Sequence, residues 1–320
     1  MTRRSFFWNG MLLVCVVLLA GCSWLREADR MPTFRYSFET AWGKEGSGPG
    51  DFKGPMGLAL DSAGHAYVAD AENGRVQKFT GDGEFLAEWK GEAGENTRLQ
   101  KPVDVAVSKD GAVYVADFDT DRIYRFAADG TLLKVWGQNG EAPGEFSAPS
   151  GLAVDSEGRV YVADFYNSRI QVFDPEGNFL YQMGGEGHGD GELYYPTDLA
   201  ITDGQDAYIA DAYNHRVQKL TLQGDFLDKF GSQGTELNQF EVPSGVAVDQ
   251  WGNIHVADSG NHRVQLFSPS GELLDHWSLE DNQHPERNSP VRVAVQGESV
   301  YLTDWANHRI IKLRIVRSAK

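Results

Sequence analysis

Cysteine is almost missing from this chain: 320 residues hold two, Cys15 and Cys22. Both fall at the N-terminal end, so residues 23–320 have neither a thiol nor a disulfide and must be held by packing. Also missing are a CxxC pair, an HExxH helix, a phosphate-cradling glycine loop and a glycine-framed nucleophile serine, which argues against the common hydrolase and kinase chemistries. Lysine and arginine never cluster, and 29 basic side chains stand against 46 acidic ones, for a net charge of −17. Grip on nucleic acid draws most of its affinity from phosphate neutralisation, so no nucleic-acid partner is expected. The acidic excess keeps the domain solvated and favours cationic partners over anionic ones. The main apolar run, residues 11–20, is too short to span a bilayer. No composition shift or low-complexity linker divides residues 34–317.

What is present is periodic. Pro55, Pro102, Pro149, Pro196, Pro243 and Pro290 recur every 47 residues. Within each unit lie four short runs of Val, Ile, Tyr and Phe; in 149–196 they fall at 151–154, 160–163, 170–173 and 179–183, with Asp/Gly/Asn turns between the first three. Such runs predict an antiparallel four-stranded meander, and a sheet of that size needs copies of itself to bury both faces. An Asp closes the second run (Asp70, Asp117, Asp164, Asp211, Asp258, Asp304) and an Arg opens the third five residues later (Arg75, Arg122, Arg169, Arg216, Arg263, Arg309). A fixed period with four strands per unit predicts an all-β, six-bladed β-propeller. The sixth unit stops after its third strand. Residues 36–42 (YSFETAW) align 47 ahead of 83–89, so the N-terminal strand is expected to complete the last blade and remove two free edges.

The unit P-x-G-[LV]-A-[LV]-D…V-A-D-x-x-N-x-R-[VI]-Q, with NHRVQ at 261–265, resembles the NHL repeat over residues 34–315. The resemblance implies the fold and leaves function open, because the family's repeat residues build the blade. A second period is nested in the first. Gly57, Gly151 and Gly245 in odd blades face Asp104, Asp198 and Arg292 in even ones. Asp61, Asp155 and Asp249 likewise alternate with Ser108, Thr202 and Gln296, and Phe52, Phe146 and Phe240 with Leu99, Leu193 and Arg287. The pattern predicts three two-blade units.

Residues 1–21 read as a lipoprotein signal peptide: Arg3 and Arg4, the apolar stretch, then Leu19-Ala20-Gly21-Cys22. Arg3-Arg4 with Phe6 also resembles a twin-arginine export motif. Cys22 is the expected lipidation site, residues 22–33 a lipidated tether and 34–317 the propeller. Losing Arg3 and Arg4 with the leader takes the charge to about −19. Acyl chains contribute about 0.8 kcal/mol per buried CH₂, enough for several together to anchor the protein. By resemblance to Gram-negative lipoproteins, Ser23 after the cysteine implies the outer membrane facing the periplasm.

Four groups are candidates for chemistry. The Asp/Arg pairs are expected to tie hairpins together, each carboxylate accepting turn amides and a guanidinium. His215, His262 and His308 precede the Arg in blades 4, 5 and 6. Peptidylglycine-amidating lyases, with related propellers, hold zinc through three histidines from alternate blades. The matching positions here in blades 1, 2 and 3 are Gly74, Asp121 and Ser168, and Ala71 replaces that family's catalytic Arg in the Asp70–Asn73 turn, so the three are weak metal candidates and a structural reading is preferred. His65, His188, His255, His276 and His284 form no set. Asp104, Asp198 and Arg292 sit at the entrance of the innermost strands, where threefold placement would gather them at the channel mouth to hold a cation, a polar ligand or water. Phe118, Phe165, Tyr166, Tyr213 and Trp305 lie on turns that share a face with Tyr194 and Tyr195, and aromatic side chains there suit an interface.

The sequence thus points to a lipid-anchored, exported propeller, monomeric, without a required cofactor, that binds an envelope protein, a peptide or a small polar ligand on its loop face. The alternative is a metal-dependent propeller enzyme, a lyase or lactone hydrolase, with Ca or Zn as its ion.

Overall fold

A computed structural model describes residues 32–91, 97–202, 206–278 and 289–318. The chain opens with β1 (Thr33–Trp42). Blade 1 is β2 (Pro55–Leu60), β3 (Ala66–Asp70), β4 (Arg75–Phe79) and β5 (Phe85–Trp89). Blade 2 is β6 (Pro102–Val107), β7 (Val113–Asp117), β8 (Arg122–Phe126) and β9 (Leu132–Trp136). Blade 3 is β10 (Pro149–Val154), β11 (Val160–Asp164), β12 (Arg169–Phe173) and β13 (Phe179–Gly184). Blade 4 is β14 (Pro196–Ile201), β15 (Asp206–Asp211), β16 (Arg216–Thr221) and β17 (Phe226–Phe230). Blade 5 is β18 (Pro243–Val248), β19 (Ile254–Asp258), β20 (Arg263–Phe267) and β21 (Leu273–Ser278). Blade 6 is β22 (Pro290–Gln296), β23 (Ser299–Asp304) and β24 (Arg309–Ser318), and β1 completes it beside β24.

The ring is therefore closed by its first strand, which removes two sheet edges at once. The propeller occupies Arg35–Val316. Thr33, Phe34, Arg317 and Ser318 fall in a second, small unit, within which the hydroxyls of Thr33 and Ser318 are hydrogen-bonded at 3.0 Å. The leader, Cys22 and most of the tether lie outside the described residues, as do His284 and Arg287.

Every inner strand begins at its proline, which pairs with the Asp that ends the second strand, as Pro149 does with Asp164. Register then slips in every blade, between Pro149 and Gly151 in blade 3 and between Pro196 and Asp198 in blade 4. A proline fits there because a strand's first residue need not donate to the ladder, and the bulge bends the strand locally. The second strands are buried along nearly their whole length, as in VYVAD of β11, while the fourth strands of blades 1 to 5 are mostly exposed or half-buried. Core clusters are shared between neighbouring blades. Ile170, Val172 and Met183 of blade 3 pack with Ile209 and Leu220 of blade 4; Phe52 and Phe79 of blade 1 pack with Tyr301 and Ile310 of blade 6. Each blade is half a core, which is why closure stabilises all six.

Candidate functional site

Blades 1, 3, 4 and 5 share a polar clasp. In blade 3, Asp164 Oδ1 accepts Ser147 N at 2.7 Å, while Oδ2 accepts Asn167 Nδ2 at 2.9 Å, Arg169 Nε at 2.8 Å and Gln171 Nε2 at 3.1 Å. The other end of Arg169 donates to Ala142 O and Glu145 O, and Gln171 Oε1 accepts Gly144 N. The guanidinium thus fastens the loop entering its own blade. The same bonds recur around Arg75, Arg216 and Arg263. The Asp and Arg are buried and their hydrogen-bonding groups are taken up by one another and by the entering loop, so this set is structural.

Blade 2 departs from the expected pairing. Both Gln100 N and Lys101 N donate to Asp117 Oδ2, at 2.7 and 3.0 Å, and Thr120 N donates to Oδ1. Asp117 makes no hydrogen bond to Arg122, whose Nε turns to Gly137 O at 3.4 Å. Blades 2 and 6 also carry Tyr124 and Ile311 where the clasped blades carry Gln77, Gln171, Gln218 and Gln265.

The histidines do not meet. His215, His262 and His308 are each in the left-handed backbone region, at φ of 51°, 57° and 53°. His308 Nδ1 accepts Gly54 N at 3.0 Å and His215 Nδ1 accepts Val242 N at 3.4 Å. Asp121 takes Ala148 N and Ser168 takes Tyr195 N in the same way. The position therefore staples one blade to the loop entering the next, and His215 and His308 serve it singly. Among the described residues no three His, Cys, Asp or Glu side chains converge as a metal site.

Asp104, Asp198 and Arg292 do come together. Arg292 lies on the axis, with Nε 3.1 Å from Asp104 Oδ1 and Nη1 2.9 Å from Asp198 Oδ1. Its guanidinium also donates to Ser150 O at 2.7 Å and to Thr197 O and Ser244 O at 3.2 Å. The remaining carboxylate oxygens accept amides one blade on, Asp104 from Leu152 N and Asp198 from Val246 N. All three residues are buried. The cation held by the two carboxylates is the chain's own. This trio caps a cavity of about 230 Å³ lined by Leu58, Val105, Leu152, Leu199 and Val246 of the inner strands. Burial pushes Asp104 up to about 7, with Asp198 adding to the rise and Arg292 opposing it; burial raises Asp198 as well.

The odd-blade glycines have their reason here. A Cβ on Gly57 would stand 2.4 Å from Asp104 Cα, one on Gly151 2.8 Å from Asp198 Cα, and one on Gly245 3.0 Å from Arg292 Cα. Adjacent inner strands approach too closely at these points for a side chain. The odd–even alternation is a contact between neighbours.

Six of the seven aromatics form one cluster over blades 2 to 4. Tyr194, Tyr195 and Phe165 stack in a column, with centroids 4.4 and 5.1 Å apart and planes within 22°. Tyr166 and Tyr213 cross this column nearly at right angles, 5.8 and 5.2 Å from Tyr195. Phe118 meets Tyr166 at 6.4 Å. The backbone fixes the column: Tyr194 N is bonded to Asp211 Oδ1 and Tyr195 N to Ser168 Oγ. Tyr166 and Tyr213 are 56% and 48% exposed, so the cluster presents large rings to solvent. The Tyr195 phenol is held above its usual range by its hydrogen bond to Tyr194, and by the charges of Tyr194 and Glu186. Trp305 stands apart on blade 6, its indole nitrogen against Gly54.

Two histidines set aside in the sequence have partners. His188 crosses Tyr194 at 5.2 Å and so extends the aromatic face; its place in the glycine-rich run before Tyr194 and Tyr195 is the signal that could have shown it. His255, buried where other blades carry tyrosine, accepts or donates to the Tyr36 hydroxyl at 2.7 Å and lies 3.5 Å from Asp249. Burial lowers the pKa of His255. Only closure by β1 brings Tyr36 to it.

The NHL repeat family pattern matches residues 52–79, 146–173, 193–220 and 240–267, the four clasped blades. NHL repeat-containing protein 3 of Homo sapiens is 41% identical over 64 residues, 19% of this chain and 18% of that protein. Protein lin-41 of Caenorhabditis elegans is 48% identical over 46 residues, 14% of this chain and 4% of that protein. The chain therefore spans less than a fifth of these relatives. Among solved structures, a streptogramin B lyase superposes with a TM-score of 0.61 at 15% identity, covering 90% of this chain and 88% of that one. A gluconolactonase from Xanthomonas campestris gives 0.63 at 17%, covering 83% and 87%. A protein of unknown function from Bacteroides thetaiotaomicron gives 0.64 at 19%, covering 89% and 77%. At such identities the likeness is one of fold.

Proposed function

We propose that this chain, a six-bladed propeller of NHL repeats, is a binding or scaffolding module that engages an envelope protein or peptide on its loop face. One observation carries the reading: exposed Tyr166 and Tyr213 stand over a rigid column of Tyr194, Tyr195 and Phe165. Solvent-facing aromatics in a fixed arrangement are what interface cores are built from. The axis, by contrast, is filled by the chain's own cation, held between two carboxylates and three backbone carbonyls, so it serves as a strut rather than as a ligand site. The structural resemblance to a lyase and a gluconolactonase supports the scaffold and brings no reaction with it.

The anchoring belongs to the same proposal. Acylation of Cys22 would hold the propeller at a membrane surface on the tether of residues 22–33, exported and facing the periplasm in a Gram-negative host. Metabolic labelling with a fatty acid should mark the native chain and not Cys22→Ala; equal labelling of both would remove the anchor. For the face, affinity capture from envelope extract should recover a partner with the native chain and lose it with Tyr166→Ser plus Tyr213→Ser. Capture indifferent to those changes would overturn the reading.

A further inference from the structure

We propose that the partner segment is cationic: a peptide stretch presenting arginine or lysine side chains to the tyrosine and phenylalanine rings over blades 2 to 4. The inference rests on the binding-face reading above and narrows it to one class of partner. Its first support is the charge around the cluster. The loops 137–149 and 184–196, which flank the rings, carry Glu141, Glu145, Glu186, Asp190 and Glu192 and no lysine or arginine. Glu141 and Glu186, with Asp119 on the blade 2 turn, are exposed, and none of these three is in an ion pair among the described residues. Of the arginines that close the turns of blades 2 to 4, Arg169 and Arg216 are buried and spent on Asp164 and Asp211, and Arg122 is half-buried with its Nε turned to Gly137 O.

The second support is the orientation of the rings. Tyr166 and Tyr213 cross the stacked column at 82° and 87°, so the cluster offers ring faces in more than one direction. The face of an aromatic ring is its negative pole, and a guanidinium or ammonium within about 6 Å of the centroid is attracted to it. The molecule already makes this contact once at the cluster's edge, where Lys101 Nζ lies 4.8 Å over the Phe118 ring. A third argument is extent. The rings run from Phe118 on blade 2 to Tyr213 on blade 4, so a linear segment meets several where a lone ammonium would meet one. The chain's charge of −17 would add long-range steering of a cationic partner.

The test uses the full-length protein and three synthetic peptides of equal length: oligoarginine with glycine spacers, its glutamate counterpart, and a neutral leucine–serine peptide, each followed by titration calorimetry. The arginine peptide should bind at least about tenfold more tightly than either other, weaken as salt rises, and lose about tenfold or more with Tyr166→Ala plus Tyr213→Ala. Glu186→Lys with Asp119→Lys should weaken it while leaving the circular dichroism and melting curve unchanged. Arginine-peptide binding indifferent to the tyrosine changes would mean diffuse charge attraction and would overturn the inference. Tyrosine-dependent binding of the neutral peptide alone would overturn it too, yet leave the face as a binding surface. Failure of all three would discard the cationic partner, and the capture experiment decides the face separately.

Discussion

The axis and the loop face are both built from residues that break the repeat, and they break it in opposite ways. On the axis, Arg292 replaces the aspartate of its two counterparts, and the odd charge completes a closed set with Asp104, Asp198 and three carbonyls. On the face, aromatic residues replace small polar turn residues in three adjacent blades, and part of each exposed ring is left to water. A departure from the repeat that the fold consumes internally is structural. One that the fold leaves open is available to a partner.

The sharpest way to break the contrast is Arg292→Ala, which leaves two buried carboxyls facing each other. It should cost about 3–5 kcal/mol in chemical denaturation and leave the tyrosine face intact in whatever fraction stays folded. Replacing the trio together, with Asp104→Asn, Asp198→Asn and Arg292→Met, should recover part of that loss, because no isolated charge remains. A loss below about 1 kcal/mol for Arg292→Ala would show that the axis is not the strut described.

Next in size is the clasp. Arg169→Ala strands the buried carboxylate of Asp164 and should cost about 2–4 kcal/mol. Arg122→Ala, whose Nε makes only a 3.4 Å bond to Gly137 O, should cost less than about 1 kcal/mol. Equal losses at the two sites would erase the distinction between clasped and unclasped blades.

A pH effect comes third. Asp104 titrates at about 7 in the folded chain against an ordinary carboxyl near 3.8. The unfolded chain therefore gives up this proton first as pH rises. The associated stability is complete below pH about 4 and is lost progressively as pH climbs through about 7. Melting temperature should fall across that window, and Asp104→Asn should flatten the fall. His255 works in the other direction: its lowered pKa costs stability as pH drops below the ordinary histidine range.

The smallest expected change in stability is on the face. Tyr166→Ser with Tyr213→Ser removes side chains already about half in water, and should shift unfolding by less than about 1 kcal/mol while abolishing partner capture. A large loss of stability there would make the cluster part of the core and dissolve the comparison.

Much of the architecture was legible beforehand. The 47-residue spacing from Pro55 to Pro290 counts the blades, and the alignment of residues 36–42 with 83–89 places the closing strand. The odd–even alternation at Gly57/Asp104 and Gly151/Asp198 was visible too, and the structure supplies its cause in strands too close for a Cβ. The clasped blades could also have been read from Gln77, Gln171, Gln218 and Gln265. The missing Asp117–Arg122 pair could not, because it depends on how the amides of the entering loop meet the carboxylate in three dimensions.

The sequence by itself determined the number of blades, their strand order and the residues facing each neighbour, because these follow from a local pattern repeated at fixed spacing. The tertiary structure alone decided which distant deviations became one site. Residues 104, 198 and 292 meet because closure brings the even inner strands around one axis, and six rings between 118 and 213 meet because neighbouring turns share a face while Trp305 lies across the ring. Spacing along a chain fixes the unit; only the angle between units, summed around the circle, fixes what touches.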